Sequence, residues 1–115
     1  MFDSSDAVRL ASFWAAALGW KVREPDAKDA SIVVSPTDDR SSFILLFMPV
    51  PEGKAAKNRV HLDVNPVGVD PSAELERLLN LGATQIDSGR YEPRWHVLAD
   101  PEGNEFCLLR RVVDP

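Results

Sequence analysis

The sequence has a single cysteine, no basic excess and no long apolar run. Cys107 alone forms no intrachain disulfide, which is typical of a reducing compartment such as the cytoplasm. The 115 residues carry 13 Lys and Arg against 18 Asp and Glu, and this net charge of -5 argues against a nucleic-acid or anionic-membrane partner. Even the longest apolar runs, such as Phe43 to Met48, are far below the ~20 residues that cross a bilayer. We expect a cytoplasmic protein that contacts neither partner.

The composition predicts one compact domain with an apolar core. Hydrophobic residues make up 44% of the chain and include 3 Trp and 5 Phe, so folding needs neither disulfides nor a partner that orders the chain. A chain of 115 residues is too short for two independent domains. We therefore expect a single domain over residues 1–115.

Two amphipathic helices are predicted from their apolar spacing and end signals. The first runs from about residue 6 to 18 and stops at Gly19. The second has Asp70 as its N-cap, Pro71 at its first position and Gly82 as its stop. Both helices therefore end in a Leu-Gly pair.

Short β-favouring stretches separated by turn residues fill the rest of the chain. Pro and Gly in the turn at 100–104 predict a hairpin between the last two strands. The predicted strands are Trp20 to Arg23, Ser31 to Ser35, Phe43 to Val50, Val60 to Val64, Thr84 to Asp87, Trp95 to Ala99 and Glu105 to Val113.

A weak internal repeat with an offset of 63 residues organises these elements. It matches the Leu-Gly pairs at 18–19 and 81–82, Val34 with Val97, and Phe43, Leu45 and Leu46 with Phe106, Leu108 and Leu109. We interpret the chain as two βαβββ modules, over residues 1–50 and 60–115, joined by a connector over 51–59. Few residues precede the first helix, so the first strand of module one is expected to be stunted or missing, with Met1 or no residue opposite His61.

Three segments resemble the glyoxalase-like members of the vicinal oxygen chelate superfamily. They are 13–20 (FWAAALGW), 57–64 (KNRVHLDV) and 100–107 (DPEGNEFC). The superfamily includes glyoxalase I, bleomycin- and fosfomycin-resistance proteins and extradiol dioxygenases. The resemblance implies an α+β fold in which paired βαβββ modules form a cup, and it makes a homodimer the expected assembly.

The resemblance also implies where a metal ion would bind. The superfamily's enzymes hold one divalent ion (Zn, Ni, Fe or Mn) with residues from the first and last strand of each module, and His61 and Glu105 match that pattern in module two. At the 63-residue offset, Glu105 corresponds to Ser42, so only half of a four-ligand set is visible. Asp63 is a candidate third ligand, and His96 is an alternative one.

Strand alternation extends the candidate site beyond these ligands. His61 and Asp63 share one strand face, as do Glu105 and Cys107 on another strand, while the repeat adds residues of module one. The candidate ligand-binding residues are Trp20, Ser42, Leu46, Met48, Asp63, Trp95 and Cys107, with His61 and Glu105 as metal ligands and Glu105 as the catalytic residue.

Each candidate also has a structural interpretation. His61 is equally compatible with a half-buried imidazole hydrogen-bonded to a carboxylate across the sheet. Cys107 is expected to be an inert side chain rather than a nucleophile. Trp20 and Trp95 either border the cup or serve as ordinary packing residues.

Three functions remain open from the sequence. The favoured one is binding of a small, partly apolar molecule in the cup, as in bleomycin-resistance-type proteins. The alternative is a divalent-metal-dependent lyase or isomerase of the glyoxalase class, in which Glu105 or a bound water moves a proton. The third is an interaction module without a ligand, in which Trp20, Met48 and Trp95 fill the cup themselves.

Overall fold

A computed structural model describes residues 1–37, 43–86 and 95–115 of the chain. The chain divides into two compact units, Met1–Ala55 and Ala56–Pro115, with the boundary inside the predicted connector. We refer to these units as the first and second modules. In chain order the elements are β1 (Phe2–Ser4), α1 (Ala7–Leu18), β2 (Lys21–Val22), β3 (Ile32–Ser35), β4 (Leu45–Pro49), β5 (Leu62–Val64), α2 (Pro71–Leu81), β6 (Thr84–Gln85), β7 (Trp95–Ala99) and β8 (Glu105–Leu109).

The two modules have the same topology. The first sheet has the strand order β1-β4-β3-β2 and the second has β5-β8-β7-β6. In each sheet the first strand of the module pairs parallel with the last one, and the other pairs are antiparallel. This confirms the predicted α+β fold of two βαβββ modules. Neither helix of the described chain has the length and apolar composition needed to span a bilayer.

The first strand of module one is short but present. It has three residues, as does its counterpart β5. The Phe2 ring on this strand stacks on Phe47 with a centroid distance of 5.4 Å and on Trp14 with one of 6.4 Å. Trp14 is only 1% exposed, so these rings form the centre of the first module's core.

The second module buries a separate apolar core between α2 and its sheet. Leu78 on the helix is buried, as are Leu98, Phe106 and Leu108 on the two central strands. Because side chains alternate along a strand, burial of Phe106 and Leu108 directs their neighbours to the opposite face of the sheet. That opposite face carries the candidate site.

Both helices lie within one residue of their predicted bounds, with Asp6 and Asp70 as their N-caps. The Asp6 carboxylate accepts a hydrogen bond from the Arg9 amide at 3.2 Å, and Asp70 accepts one from the Ser72 amide at 2.8 Å. Gly19 and Gly82 end the helices at φ values of 68° and 124°, which glycine adopts without a Cβ clash.

The internal repeat is shifted by one residue at β3 and β7. Val22 on β2 and Gln85 on β6 are counterparts at the offset of 63 residues. Val22 pairs with Val34 and Gln85 pairs with Leu98, so the counterpart of Val34 is Leu98. Burial agrees, because Val34 and Leu98 are both fully buried whereas Val97 is half-buried. The sequence match of Val34 with Val97 was therefore wrong.

The last strands of the modules are shifted in the other direction. Leu45 pairs with Val34, and Phe106 pairs with Leu98. Because Val34 and Leu98 are counterparts, Leu45 and Phe106 are counterparts too, at an offset of 61 residues. The predicted match of Phe43 with Phe106 was wrong, because Phe43 is 71% exposed and Phe106 is 1% exposed. At this offset Glu105 corresponds to Ile44, whereas the offset of 63 residues predicted Ser42.

Most of the predicted strands are shorter in the structure. Phe43 to Val50 contracts to Leu45–Pro49. The strand predicted from Val60 begins at Leu62, and Val60 is 82% exposed rather than packed. The strand predicted to reach Val113 ends at Leu109, after which Val113 forms only an isolated bridge.

Candidate functional site

A cavity of about 680 Å³ lies on the face of the second sheet opposite α2. Its wall combines apolar, cationic and anionic side chains, and all of them belong to the second module. They are Lys57, His61, Asp63, Ile86, Trp95, Val97, Glu105, Cys107, Leu109, Arg110 and Arg111.

The central strand β8 provides the floor of this cavity. Glu105, Cys107 and Leu109 alternate with the buried residues of that strand and so face the cavity. The pairing of Cys107 with Asp63 on one side and Val97 on the other extends this face across three strands. The polar residue Glu105 stands at the start of the strand and the apolar Leu109 at its end.

Two reciprocal hydrogen bonds hold Glu105. The Asn58 backbone amide donates to Oε2 of Glu105 at 3.1 Å, and the Glu105 amide donates to Oδ1 of Asn58 at 3.0 Å. The Asn58 side chain also donates from Nδ2 to Oδ1 of Asn104 at 3.1 Å. Asn58 therefore ties the segment before β5 to the start of β8.

The turn before Glu105 is built around a buried carboxylate. Asp100 is 3% exposed, and its Oδ1 accepts the backbone amides of Glu102 at 3.0 Å and of Asn104 at 2.9 Å. Nδ2 of Asn104 donates to Oδ2 of Asp100 at 2.9 Å. This turn connects β7 to β8, as the hairpin prediction required, and it fixes where Glu105 enters the cavity.

His61 is oriented by a backbone carbonyl rather than by a carboxylate. Its Nε2 lies 2.9 Å from the Asn58 carbonyl oxygen. A carbonyl only accepts hydrogen bonds, so Nε2 carries the proton and the neutral ring has its lone pair on Nδ1. The side chain is exposed, so the predicted half-buried contact with a carboxylate across the sheet is absent from the described residues.

Cys107 is held in its protonated form by its surroundings. Burial raises the pKa of the Cys107 thiol above its ordinary value, and the negative charge of Asp63 and a hydrogen bond to its carboxylate raise it further. The positive charge of Lys57 opposes this rise in pKa but is the smallest of the contributions. The thiol is thus a neutral donor in the cavity wall, which agrees with its predicted inertness.

The residues of this face do not fit a catalytic metal centre. Among the described residues, no group of three or more His, Cys, Asp or Glu side chains is arranged to hold an ion. The counterpart of Glu105 in the first module is the apolar Ile44. His96 pairs with the buried Leu108, so His96 lies on the face of the sheet opposite to the cavity. A catalytic site normally has at least three protein ligands.

The cavity brings together five of the nine residues predicted for the site. These are His61, Asp63, Trp95, Glu105 and Cys107. The other predicted residues belong to the first module, where Leu46 and Met48 lie half-buried on the β4 face turned away from the core and Trp20 lies half-buried before β2. Ser42 lies outside the described residues.

Several residues of the wall were not predicted from the sequence. Val97 was predictable, because it pairs with Cys107 in the expected hairpin and so shares its face. Asn58 and Lys57 lie in the predicted connector, where no periodic pattern assigns a side chain to a face. Arg110 and Arg111 lie beyond the end of β8, but alternation along the strand predicted to reach Val113 already puts Arg111 on the face of Glu105 and Cys107.

Comparisons with known proteins agree with this topology. Residues 1–109 match the family model described as "Glyoxalase-like domain". None of the curated proteins matches the sequence.

Solved structures share the fold at low sequence identity. A fosfomycin resistance protein from Mesorhizobium loti superposes with a TM-score of 0.68 at 16% identity, covering 94% of this chain and 85% of that one. A glyoxalase-related enzyme from Fulvimarina pelagi gives 0.62 at 17% identity, covering 94% and 82%. A glyoxalase/bleomycin resistance protein from Albidiferax ferrireducens gives 0.55 at 18% identity, covering 96% and 94%.

Proposed function

The chain belongs to the glyoxalase-like domain family, and on that premise we propose that the cavity of its second module binds a small, partly apolar molecule. The observation that carries this proposal is the composition of the wall around about 680 Å³ of space. Cavities of roughly 300–1,000 Å³ that are mainly apolar and have a few polar groups are typical of small-molecule sites. A solved structure of similar fold is described as a glyoxalase/bleomycin resistance protein.

The apolar part of the wall would supply most of the binding free energy. It consists of Ile86 directly after β6, Trp95 and Val97 on β7, and Leu109 on β8. Removing apolar area from water contributes roughly 25 cal/mol per Å², so the ligand body would lie against these side chains. The Trp95 ring offers a flat surface for a planar or extended ligand.

The polar end of the wall would set the orientation of the ligand. Glu105 is fixed by Asn58, and Nδ1 of His61 is the basic atom of a ring whose Nε2 is already committed. The ligand group at this end would donate a hydrogen bond to one of these acceptors. Because the acceptors are held before binding, little conformational entropy is lost when the ligand arrives.

This proposal is better supported than the other two functions. A metal-dependent lyase or isomerase needs a donor set that the described residues do not provide. An interaction module without a ligand would have Trp95 fill its own cavity, whereas Trp95 lines a wall around about 680 Å³. Binding of a small molecule accounts for both the space and the ordered polar end.

Location and assembly are part of the same proposal. We place the protein in the cytoplasm, which is supported by a lone cysteine held as a protonated thiol. We also propose a homodimer, because β1 and β2 are the outer strands of the first sheet and the backbone groups of an outer strand can pair with a second chain.

The proposal is tested by filling the cavity from its wall. Val97 is half-buried and faces the cavity, so Val97→Trp would occupy it without entering the apolar core. Isothermal titration with 1-octanol should give saturable binding to the original protein and at least about tenfold weaker binding to this variant. Val112→Trp is the matched control, since Val112 is exposed and outside the wall. Absence of saturable binding to the original protein would contradict the proposal.

A further inference from the structure

The cavity wall carries three cations although the protein as a whole is acidic. Lys57, Arg110 and Arg111 all line the wall. They stand against two carboxylates, those of Asp63 and Glu105, in a chain whose net charge is -5. Positive charge in a concave site attracts anions, because the low-dielectric walls of a cleft focus the electric field of the charges that line it.

These three cations have no anionic partner in the described part of the chain. Ion pairs there join Arg9 with Asp6 and Arg77 with Glu74, and none of these four residues lines the cavity. The carboxylates of the wall have other donors, since Glu105 accepts from Asn58 and Asp63 accepts from the Cys107 thiol. The wall therefore carries three cations against two carboxylates, and no described ion pair joins them.

The backbone that carries the arginine pair is held in place. Nδ2 of Asn65 donates to the Arg111 carbonyl oxygen at 2.9 Å. Two residues further on, the Val113 amide donates to the Pro66 carbonyl oxygen and the Val113 carbonyl accepts from Gly68, both at 2.9 Å. The segment after β8 is thus fastened to the segment after β5. Both arginines are presented from a fixed position rather than from a loose tail.

The order of residues along β8 separates the arginine pair from the polar end. Glu105 begins the strand and Leu109 ends it, about 13 Å away along an extended backbone. Arg110 and Arg111 follow directly, and Trp95 pairs with Leu109 beside them. The wall therefore runs from His61 and Glu105, across an apolar middle, to the arginine pair.

From this arrangement we propose that the ligand is an elongated organic anion. Its anionic group binds Arg110 and Arg111, its apolar body lies on Trp95 and Leu109, and its far end meets Glu105. Lys57 adds positive charge beside Cys107 in the middle of the wall. A guanidinium pairs with carboxylate or phosphate through two parallel hydrogen bonds, which gives both affinity and orientation. This inference rests on the proposed function, because it names the class of molecule that the same cavity binds.

The experiment compares two probes that differ only in charge. Octanoate and 1-octanol have the same apolar body, and both are titrated calorimetrically into the protein. Octanoate should bind at least about tenfold more tightly, because charge-assisted hydrogen bonds are among the strong ones in proteins. The octanoate affinity should fall as salt is added, and the octanol affinity should not. Octyl phosphate, run in parallel, shows whether the site favours a phosphate or a carboxylate head.

Substitutions then assign the preference to the arginine pair. The double variant Arg110→Gln and Arg111→Gln should bind octanoate and 1-octanol within about threefold of each other, with the octanol affinity unchanged. Lys28→Gln removes the same kind of charge from an exposed position in the first module and should leave the preference intact. All variants carry changes at exposed residues, and circular dichroism confirms their folding.

The outcomes separate this inference from the proposed function. Equal affinity of the original protein for both probes would overturn the anionic ligand while leaving the apolar cavity as a binding site. Binding of neither probe would overturn both. A preference for octanoate that survives in the double variant would overturn the assignment to Arg110 and Arg111.

Discussion

Asn58 and Glu105 hold each other through two hydrogen bonds although 47 residues separate them in the sequence. The Asn58 amide donates to the Glu105 side chain, and the Glu105 amide donates to the Asn58 side chain. Because Asn104 also accepts from Asn58, one asparagine side chain contacts both residues at the start of β8. The position of the carboxylate in the cavity therefore depends on a residue outside the helices and strands.

Replacing this asparagine should destabilise the second module. In Asn58→Ala the Glu105 amide loses its acceptor and Asn104 loses a donor, which should lower the free energy of unfolding by about 1–2 kcal/mol. Urea denaturation followed by tryptophan fluorescence measures the change. Asn80→Ala, on the exposed face of α2, is the control and should not destabilise because alanine favours helices. Equal stability of Asn58→Ala and the original protein would show that the contact contributes nothing.

The buried carboxylate of the β7–β8 turn should matter more. Asp100 accepts from the Glu102 and Asn104 amides and from the Asn104 side chain. Asp100→Ala leaves these donors without an acceptor and should cost about 2–3 kcal/mol of stability. Thermal unfolding tests this, with Asp114→Ala at the exposed C-terminal end as the control. A cost no larger than that of the control would contradict the role assigned to Asp100.

The two Leu-Gly helix ends should respond differently to alanine. Gly19 is in the left-handed region at φ 68° with open space around its Cα, so Gly19→Ala should cost about 1 kcal/mol. Gly82 has φ 124°, and an added Cβ would lie 3.4 Å from Cγ of Pro101. Gly82→Ala should therefore cost more, about 2–3 kcal/mol. Chemical denaturation of both variants gives the order, and the reverse order would refute this explanation.

The raised pKa of Cys107 predicts slow alkylation near neutral pH. Only the thiolate reacts with iodoacetamide, so the rate should rise at a higher pH than for an ordinary cysteine. Asp63→Asn removes a negative charge beside the thiol, so it should lower the pKa and speed the reaction at pH 8. Lys57→Gln removes the opposing positive charge and should slow it.

A charge change far from the thiol provides the comparison for those rates. Asp114→Asn removes a carboxylate from an exposed residue that does not contribute to the Cys107 pKa. Its rate against pH should follow that of the original protein. If Asp63→Asn and Asp114→Asn gave the same profile, the raised pKa would not arise from Asp63.

Local signals in the sequence were sufficient for the architecture. Caps such as Asp6 and Asp70 and stops such as Gly19 act over a few residues, so they mark helix ends without knowledge of the fold. The residue-by-residue alignment of the two modules was harder to predict, because similar residues recur at several offsets in the sequence. Val97 resembles Val34 in sequence but faces the cavity, and only the strand pairing distinguishes the two positions.

The candidate site was predicted in part for the same physical reason. His61, Asp63, Glu105 and Cys107 follow from strand alternation and the family resemblance, and they line one cavity. Arg111 also follows from alternation along the strand predicted to reach Val113, whereas that alternation puts Arg110 on the other face and Lys57 lies in an irregular segment. The backbone after β8 is placed by long-range hydrogen bonds such as that from Asn65. Sequence periodicity carries no information about such contacts.

The most direct measurement of the central claim uses the three tryptophans as reporters. Trp95 lines the cavity, whereas Trp14 is buried in the core of the first module. In a titration of 15N-labelled protein with octanoate, the indole signal of Trp95 should shift and saturate while that of Trp14 stays fixed. The Val97→Trp variant, whose cavity is filled, should lose the saturable shift at Trp95. A Trp95 signal that remains fixed throughout the titration, or a shift that survives in Val97→Trp, would contradict binding in this cavity.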